Sequence, residues 1–140
     1  MATESTRTKH IRLKNDHGKC QRLYDFLADG LEPLPVSTAF KHDLQLVAEE
    51  LMANTFNHGY GNDPQACIDL ELVIGEHQVG LTLTDSAFAY NPLTASSSDD
   101  IDDLSEGGMG LQLIKSLTDE QSYRRDNHQN VFTITKHYNN

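Results

Sequence analysis

The chain has 140 residues, the length of one ordinary domain, with 37% apolar and 23% charged residues. That is apolar enough for one core, and no stretch approaches the roughly 18 uninterrupted apolar residues that a spanning helix needs. A net charge of −10 disfavours direct contact with nucleic acid or an anionic membrane surface, because such a chain gains nothing from releasing counterions.

The first residues, MATESTRTKHIRLKN, place no apolar run behind their charges and so do not read as a signal peptide. Cys20 and Cys67 lack CxxC spacing, which argues against a disulfide framework or zinc ribbon and fits a reducing cytoplasm. The charge is uneven. Asp99, Asp100, Asp102, Asp103 and Glu106 supply half of the net value.

No internal repeat or linker divides the chain, so residues 1–140 read as a single domain. Residues 8–13 alternate around Ile11 and Leu13, as in a short strand. Asp16 can cap a helix carrying Cys20, Leu23, Tyr24 and Leu27 and ending at Gly30. Pro33 and Pro35 mark a connector. Ser37 then caps the strongest helix, whose stripe is Phe40, Leu44, Val47 and Leu51, widened by Ala48 and Met52. Its end is expected near residues 57–59. Residues 68–74 and the run Val79, Leu81, Leu83 alternate as two strands joined by a turn at 75–77. Periodicity then vanishes from 86 to 107, a length that in a compact domain is usually functional or disordered. A short helix follows with Leu111, Ile114 and Leu117 on one side. Strands near 120–125 and 131–138 close the chain around the turn residues 126–130. The order predicts an α+β fold, one mostly antiparallel sheet with helices on one face.

Three places carry residues suited to chemistry. At about 100° per residue, Glu50, Asn54 and Asn57 fall within roughly 60° of one another beside the apolar stripe. Half-buried polar groups there need partners. A magnesium ion is one, since it takes few protein ligands and shares itself with phosphates. A solvated helix face is the plainer alternative. Asp85 ends the strand LTLTD, where a carboxylate can accept a hydrogen bond from an exocyclic amine or simply form a turn. Gly107, Gly108 and Gly110 precede a helix start, an arrangement that suits phosphate or merely a flexible entry. The seven histidines form no HExxH or cluster.

In order, these segments resemble a known family. EELMANTFNHGY (residues 49–60) resembles the N-box of the GHKL, or Bergerat-type, ATP-binding fold as it occurs in bacterial anti-sigma-factor serine/threonine kinases. LTDSAFAYNP (83–92) is similar to that family's Asp-x-Gly segment, and EGGMGLQLIKSLTDEQSY (106–123) to its glycine-rich box. The resemblance implies a two-layer α/β sandwich that binds ATP and Mg2+. It implies Asn54 as the magnesium ligand, Glu50 as the group that orients or deprotonates the attacking hydroxyl, and Asp85 as acceptor of the adenine amine. Gly107, Gly108 and Gly110 would wrap the phosphates, and Asn57, His58, Ala87, Met109 and Leu111 complete the nucleotide-binding set. Residues 86–107 would form an ATP lid.

The implied activity is serine/threonine phosphorylation of a small anti-anti-sigma (STAS-type) antagonist, together with sequestration of a sigma factor or equivalent. A homodimer is left open. The alternative is a non-catalytic partner-switching module on the same fold. A histidine-kinase fragment is weaker, for want of a dimerisation helix pair in 140 residues. Two features depart from the family. Ala87 replaces the glycine of Asp-x-Gly, which predicts a tighter adenine pocket, and residues 86–106 contain no Lys or Arg. The acid run is expected to face solvent or a basic partner, since it would repel a nucleotide.

Overall fold

The structure is a computed structural model that describes residues 6–89, 91, 93 and 108–139, with the backbone alone at 108–110. Five strands form one sheet: β1 (Arg7–Lys14), β2 (Cys67–Ile74), β3 (Gln78–Asp85), β4 (Glu120–Asp126) and β5 (Gln129–His137). Their order is β1-β2-β3-β5-β4, and every pairing is antiparallel. Three helices, α1 (Lys19–Leu31), α2 (Thr38–Asn54) and α3 (Gly108–Leu117), complete the described fold. This is the expected α+β sandwich.

Alternation along the strands decides which face the helices cover. Register aligns Ile11, Leu70, Leu83, Phe132 and Tyr123 in one row, and Lys9, Leu72, Leu81, Ile134 and Gln121 in the next. Leu70, Leu72, Leu81, Leu83, Phe132 and Ile134 are buried there, joined from the helices by Leu23, Leu27, Leu44, Val47 and Leu51. The opposite face carries the row His10, Glu71, Thr82, Thr133 and Ser122. A slip of one residue would exchange the two faces, so burial of one face fixes the register. No helix among the described residues is long and apolar enough to cross a membrane.

α2 begins as its sequence predicts, with Ser37 Oγ accepting from the Phe40 N–H at 3.0 Å. The helical segment ends at Gly59, within the expected 57–59, but after Asn54 it widens into a π turn, Thr55–Gly59, in which the Tyr60 N–H reaches Thr55 O at 2.9 Å. Single π turns of this kind are frequent at functional sites.

α1 departs from expectation in three ways. Asp16 does not cap it directly. Asp16 accepts from the Gly18 N–H at 2.9 Å and from Arg22 at 2.8 Å, forming a turn that precedes the helix. The Arg22 hydrogen bond holds the Asp16 carboxyl below the usual carboxylate range. Cys20 and Tyr24 lie exposed, because the buried face is set by Leu23, Phe26, Leu27 and Leu31. Gly30 does not stop the helix. It lets α1 approach the sheet, since a Cβ there would lie 2.5 Å from Leu72 Cδ2, and its carbonyl accepts from Arg7 Nη2 at 3.0 Å.

β4 and β5 join through Asn127 and His128, whose φ values are 53° and 67°. Asp126 pairs with Gln129 around them, and two successive positive φ values match the twist of a two-residue hairpin.

Leu81 is fully buried at the centre of the sheet. Leu81→Ala should lower stability by about 2–5 kcal/mol, measured by urea unfolding with an unchanged denaturant slope.

Candidate active site

The C-terminal end of β3 meets the C-terminal end of α2 at a narrow cleft lined by Leu51, Asn54, Thr55, Gly59, Leu83, Asp85, Tyr123, Asn130 and Phe132. Its floor is apolar because Leu51, Leu83 and Phe132 belong to the core. Polar atoms enter from Asn54, Asp85 and Asn130. An apolar slot with a few convergent polar groups is the general form of a small-molecule site.

Asp85 is 8% exposed. Its Oδ1 accepts from the Ala87 N–H at 3.0 Å and from Asn130 Nδ2 at 2.9 Å. Asn130 is the centre of a wider network. Its Nδ2 also reaches Ala87 O at 3.3 Å and Phe88 O at 3.0 Å. Its Oδ1 accepts from the Tyr123 hydroxyl and from Arg125 Nη1 at 3.1 Å. Arg125 Nη1 donates to Ala87 O at 2.9 Å as well. The hairpin of β4 and β5 thus ties down the turn that follows β3.

Ala87 is accommodated rather than strained. It is not among the positive-φ residues, so this turn does not need the glycine expected there. Its methyl group occupies room left by Gly59, where a Cβ would lie 3.2 Å from Ala87 Cβ. Ala87 packs beside the cleft and does not line it.

Asn54 is half-buried, and its carboxamide has no hydrogen-bond partner among the described residues. It shares the cleft with Asp85. Glu50 is half-buried too, but it opens onto a neighbouring groove lined by Lys19, Cys20, Glu49, Ala53, Phe56, Asn57 and Leu113, among others. Lys19 Nζ stands over the Phe56 ring there, 5.9 Å from its centroid, within reach of a cation–π contact. Asn57 and His58 are exposed, and Asn57 lies in the Glu50 groove and does not line the Asn54 cleft.

α3 packs against α2 and brings Leu113 to the Glu50 groove. Leu111 is buried. Gly108, Met109 and Gly110 form the first residues of α3, where N–H groups lack helical acceptors. Gly107, the acid run and the lid beyond Asn91 and Leu93 lie outside the described residues.

Thr55, Gly59, Tyr123 and Asn130 line the cleft without having been singled out from the sequence. Asn130 reads in the sequence only as one of the turn residues 126–130. Its pairing with Asp85 depends on β5 lying next to β3.

The Tyr60 hydroxyl oxygen accepts from the Ser86 N–H at 2.7 Å. Burial raises the Tyr60 pKa above the usual range, with the nearby Asp85 charge adding to it and the Ser86 hydrogen bond opposing it. Burial raises Tyr138 likewise. A tyrosine raised in the folded state contributes stability that is fully present below its unfolded value of about 10. That contribution is lost as pH rises through the folded value. Stability should therefore fall above about pH 10, and Tyr60→Phe should flatten the fall in alkaline thermal melts.

A family model described as the histidine kinase-like ATPase domain matches residues 13–136. The chain is 32% identical over 104 residues to the serine/threonine-protein kinase BtrW of Bordetella bronchiseptica, covering 72% of this chain and 73% of that protein. It is 29% identical over 107 residues to the serine-protein kinase RsbW of Bacillus subtilis, covering 69% and 64%. It is 27% identical over 103 residues to the anti-sigma F factor of Anoxybacillus flavithermus, covering 68% of each. The crystal structure of the RsbU and RsbW domains of a Mycobacterium tuberculosis protein shares the fold, with a TM-score of 0.66 at 16% identity, over 94% of this chain and 32% of that one. So does a SiaB–SiaC complex from Pseudomonas aeruginosa, with a TM-score of 0.60 at 12% identity, over 91% and 88%. With its antiparallel sheet, one-sided helices and the three motifs in order, the chain belongs to the histidine kinase-like ATPase domain family, in its branch of anti-sigma-type serine/threonine kinases.

Proposed function

We propose that this protein is an ATP-dependent serine/threonine kinase that phosphorylates a small anti-anti-sigma antagonist and, in exchange, holds or releases a sigma factor or equivalent regulator. The observation that carries the reading is the cleft in which Asp85 and the open carboxamide of Asn54 meet above an apolar floor. The floor suits a purine ring, and Asp85 accepts its exocyclic amine. The start of α3 supplies N–H groups and the positive end of a helix dipole for phosphate.

Mg2+ fits the donor set. Asn54 offers one neutral oxygen with no competing partner among the described residues. Among those residues no group of three or more His, Cys, Asp or Glu could hold an ion unaided. An ion that takes one amide oxygen and the nucleotide's phosphates is in keeping with magnesium; when bound, it would neutralise phosphate charge. The chain's own residues do the rest. Asn54 orients the phosphates, the apolar floor excludes water, and Glu50 receives the proton of the acceptor hydroxyl. The acceptor oxygen forms its bond to the γ-phosphorus as the bond to the β–γ bridging oxygen breaks. Phosphoryl transfer asks the protein mainly for positioning and charge stabilisation. Two free thiols, Cys20 and Cys67, suit a cytoplasmic setting.

One observation favours the non-catalytic alternative, a partner-switching module. Glu50 and Asn54 open onto different grooves, so transfer requires the acceptor to reach Glu50 from the neighbouring groove.

Radiolabel transfer from γ-labelled ATP to the cognate antagonist tests both. Glu50→Gln should reduce the rate by about 10²–10⁴-fold while leaving ATP binding intact. Asn54→Ala should weaken binding of Mg-ATP in calorimetry. Wild-type transfer rates in both variants would refute the kinase mechanism. Binding of Mg-ATP with no transfer by the wild-type protein would establish the switching module.

A further inference from the structure

We infer that Asn130 is a positioning residue that sets adenine specificity by deciding which oxygen of Asp85 faces the nucleotide. The inference rests on Asp85 as the amine acceptor proposed above.

The network around Asn130 has a single sense. Its Oδ1 faces two donors, the Tyr123 hydroxyl and Arg125 Nη1. Its Nδ2 faces three acceptors: Asp85 Oδ1, Ala87 O and Phe88 O. Turning the amide over would set oxygen against a carboxylate and two carbonyls, and nitrogen against two donors. Each exchange loses a hydrogen bond in a buried place, so one orientation is imposed. Asn130 is 5% exposed, so an exchanged amide would lose these bonds in a place of low exposure.

The consequence falls on Asp85. Both hydrogen bonds that reach its carboxylate from described residues land on Oδ1, from the Ala87 N–H and from Asn130. Oδ2 receives none from the described residues. The carboxylate is therefore held by one oxygen, and the other is left as an acceptor at the wall of the cleft that both residues line. β-sheet register sets this up, because Asp85 and Asn130 are directly paired across β3 and β5.

The same amide, with Arg125, holds the carbonyls of Ala87 and Phe88. The backbone after Asp85 is thereby set by the neighbouring hairpin, and a site held in one geometry by its own hydrogen bonds loses less on ordering a ligand.

The test is calorimetric binding of Mg-ATP and of the Mg complex of purine riboside triphosphate, which lacks only the 6-amino group. Wild type should prefer ATP by about tenfold or more, the worth of one hydrogen bond to a charged group. Asn130→Ala and the near-isosteric Asn130→Leu should bring the preference close to one. They should do so by loss of ATP affinity, with affinity for the analogue unchanged. Asn130→Leu has nearly the same volume and adds no charge beside Asp85, so it serves if Asn130→Ala does not fold. An equal loss for both nucleotides, or a preference that survives in the folded variants, would overturn the inference. A wild-type protein without preference would instead remove Asp85 as the amine acceptor, a failure distinct from that of Asn130.

Discussion

Phe40, Leu44, Val47 and Leu51 all have to face the sheet, and a helix has one rotation that satisfies all four. That rotation governs the rest of the structure. It puts Ala48 and Met52 into the same core and leaves Glu50 and Asn54 at the margins, half-buried and open to solvent-filled grooves. A side chain in the core would be unable to meet a ligand. One on the far face would be fully hydrated and poorly held. The margins of a packed helix are where polar groups can be both positioned and accessible. The helix can hold its rotation because Ser37 starts it firmly and because the sheet beneath it is apolar on one side alone.

The end of α2 is where this regular arrangement is relaxed. The turn after Asn54 bonds i→i+5, and it brings the chain round so that Tyr60 can meet Ser86. Gly59, at the end of the turn, leaves room for Ala87. The glycine normally expected after Asp85 is therefore replaced by a pair of complementary choices, a methyl group at one position and none at the other. The turn after β3 keeps its course without a left-handed residue.

That turn is held chiefly from the β4–β5 hairpin. Arg125, Tyr123 and Asn130 come from a part of the chain some forty residues beyond Asp85. Their hydrogen bonds are mutually consistent in donor and acceptor sense, and a buried network of this kind is stable when every member is satisfied. No buried side-chain nitrogen or oxygen among the described residues lacks a partner. The cleft is accordingly built from two sides: an apolar floor contributed by α2 and the inner strands, and a polar wall contributed by the hairpin.

Local physical chemistry made much of this legible beforehand. Period-2 alternation marked the first three strands and the turn residues 126–130 the last two, the Ser37 cap and the apolar stripe marked α2, and Asp85 stood out as a carboxylate at a strand end. These depend on near neighbours, which the order of residues states directly. The π turn after Asn54, the burial of Gly30 against Leu72, the exposure of Tyr24 and the separation of Glu50 from the Asn54 cleft were not legible in the same way. Each depends on what another element does in space. Asn130 is the clearest case. As one residue in a turn-like stretch it carries no mark of function. It became part of the site because β5 lies beside β3 in a register that sets it against Asp85. The sequence by itself determined the strands and helices, the buried face of α2 and of the inner strands, and the family. The tertiary structure decided which polar residues share a cleft, because strand order and helix rotation are settled by collective burial and not by any single segment.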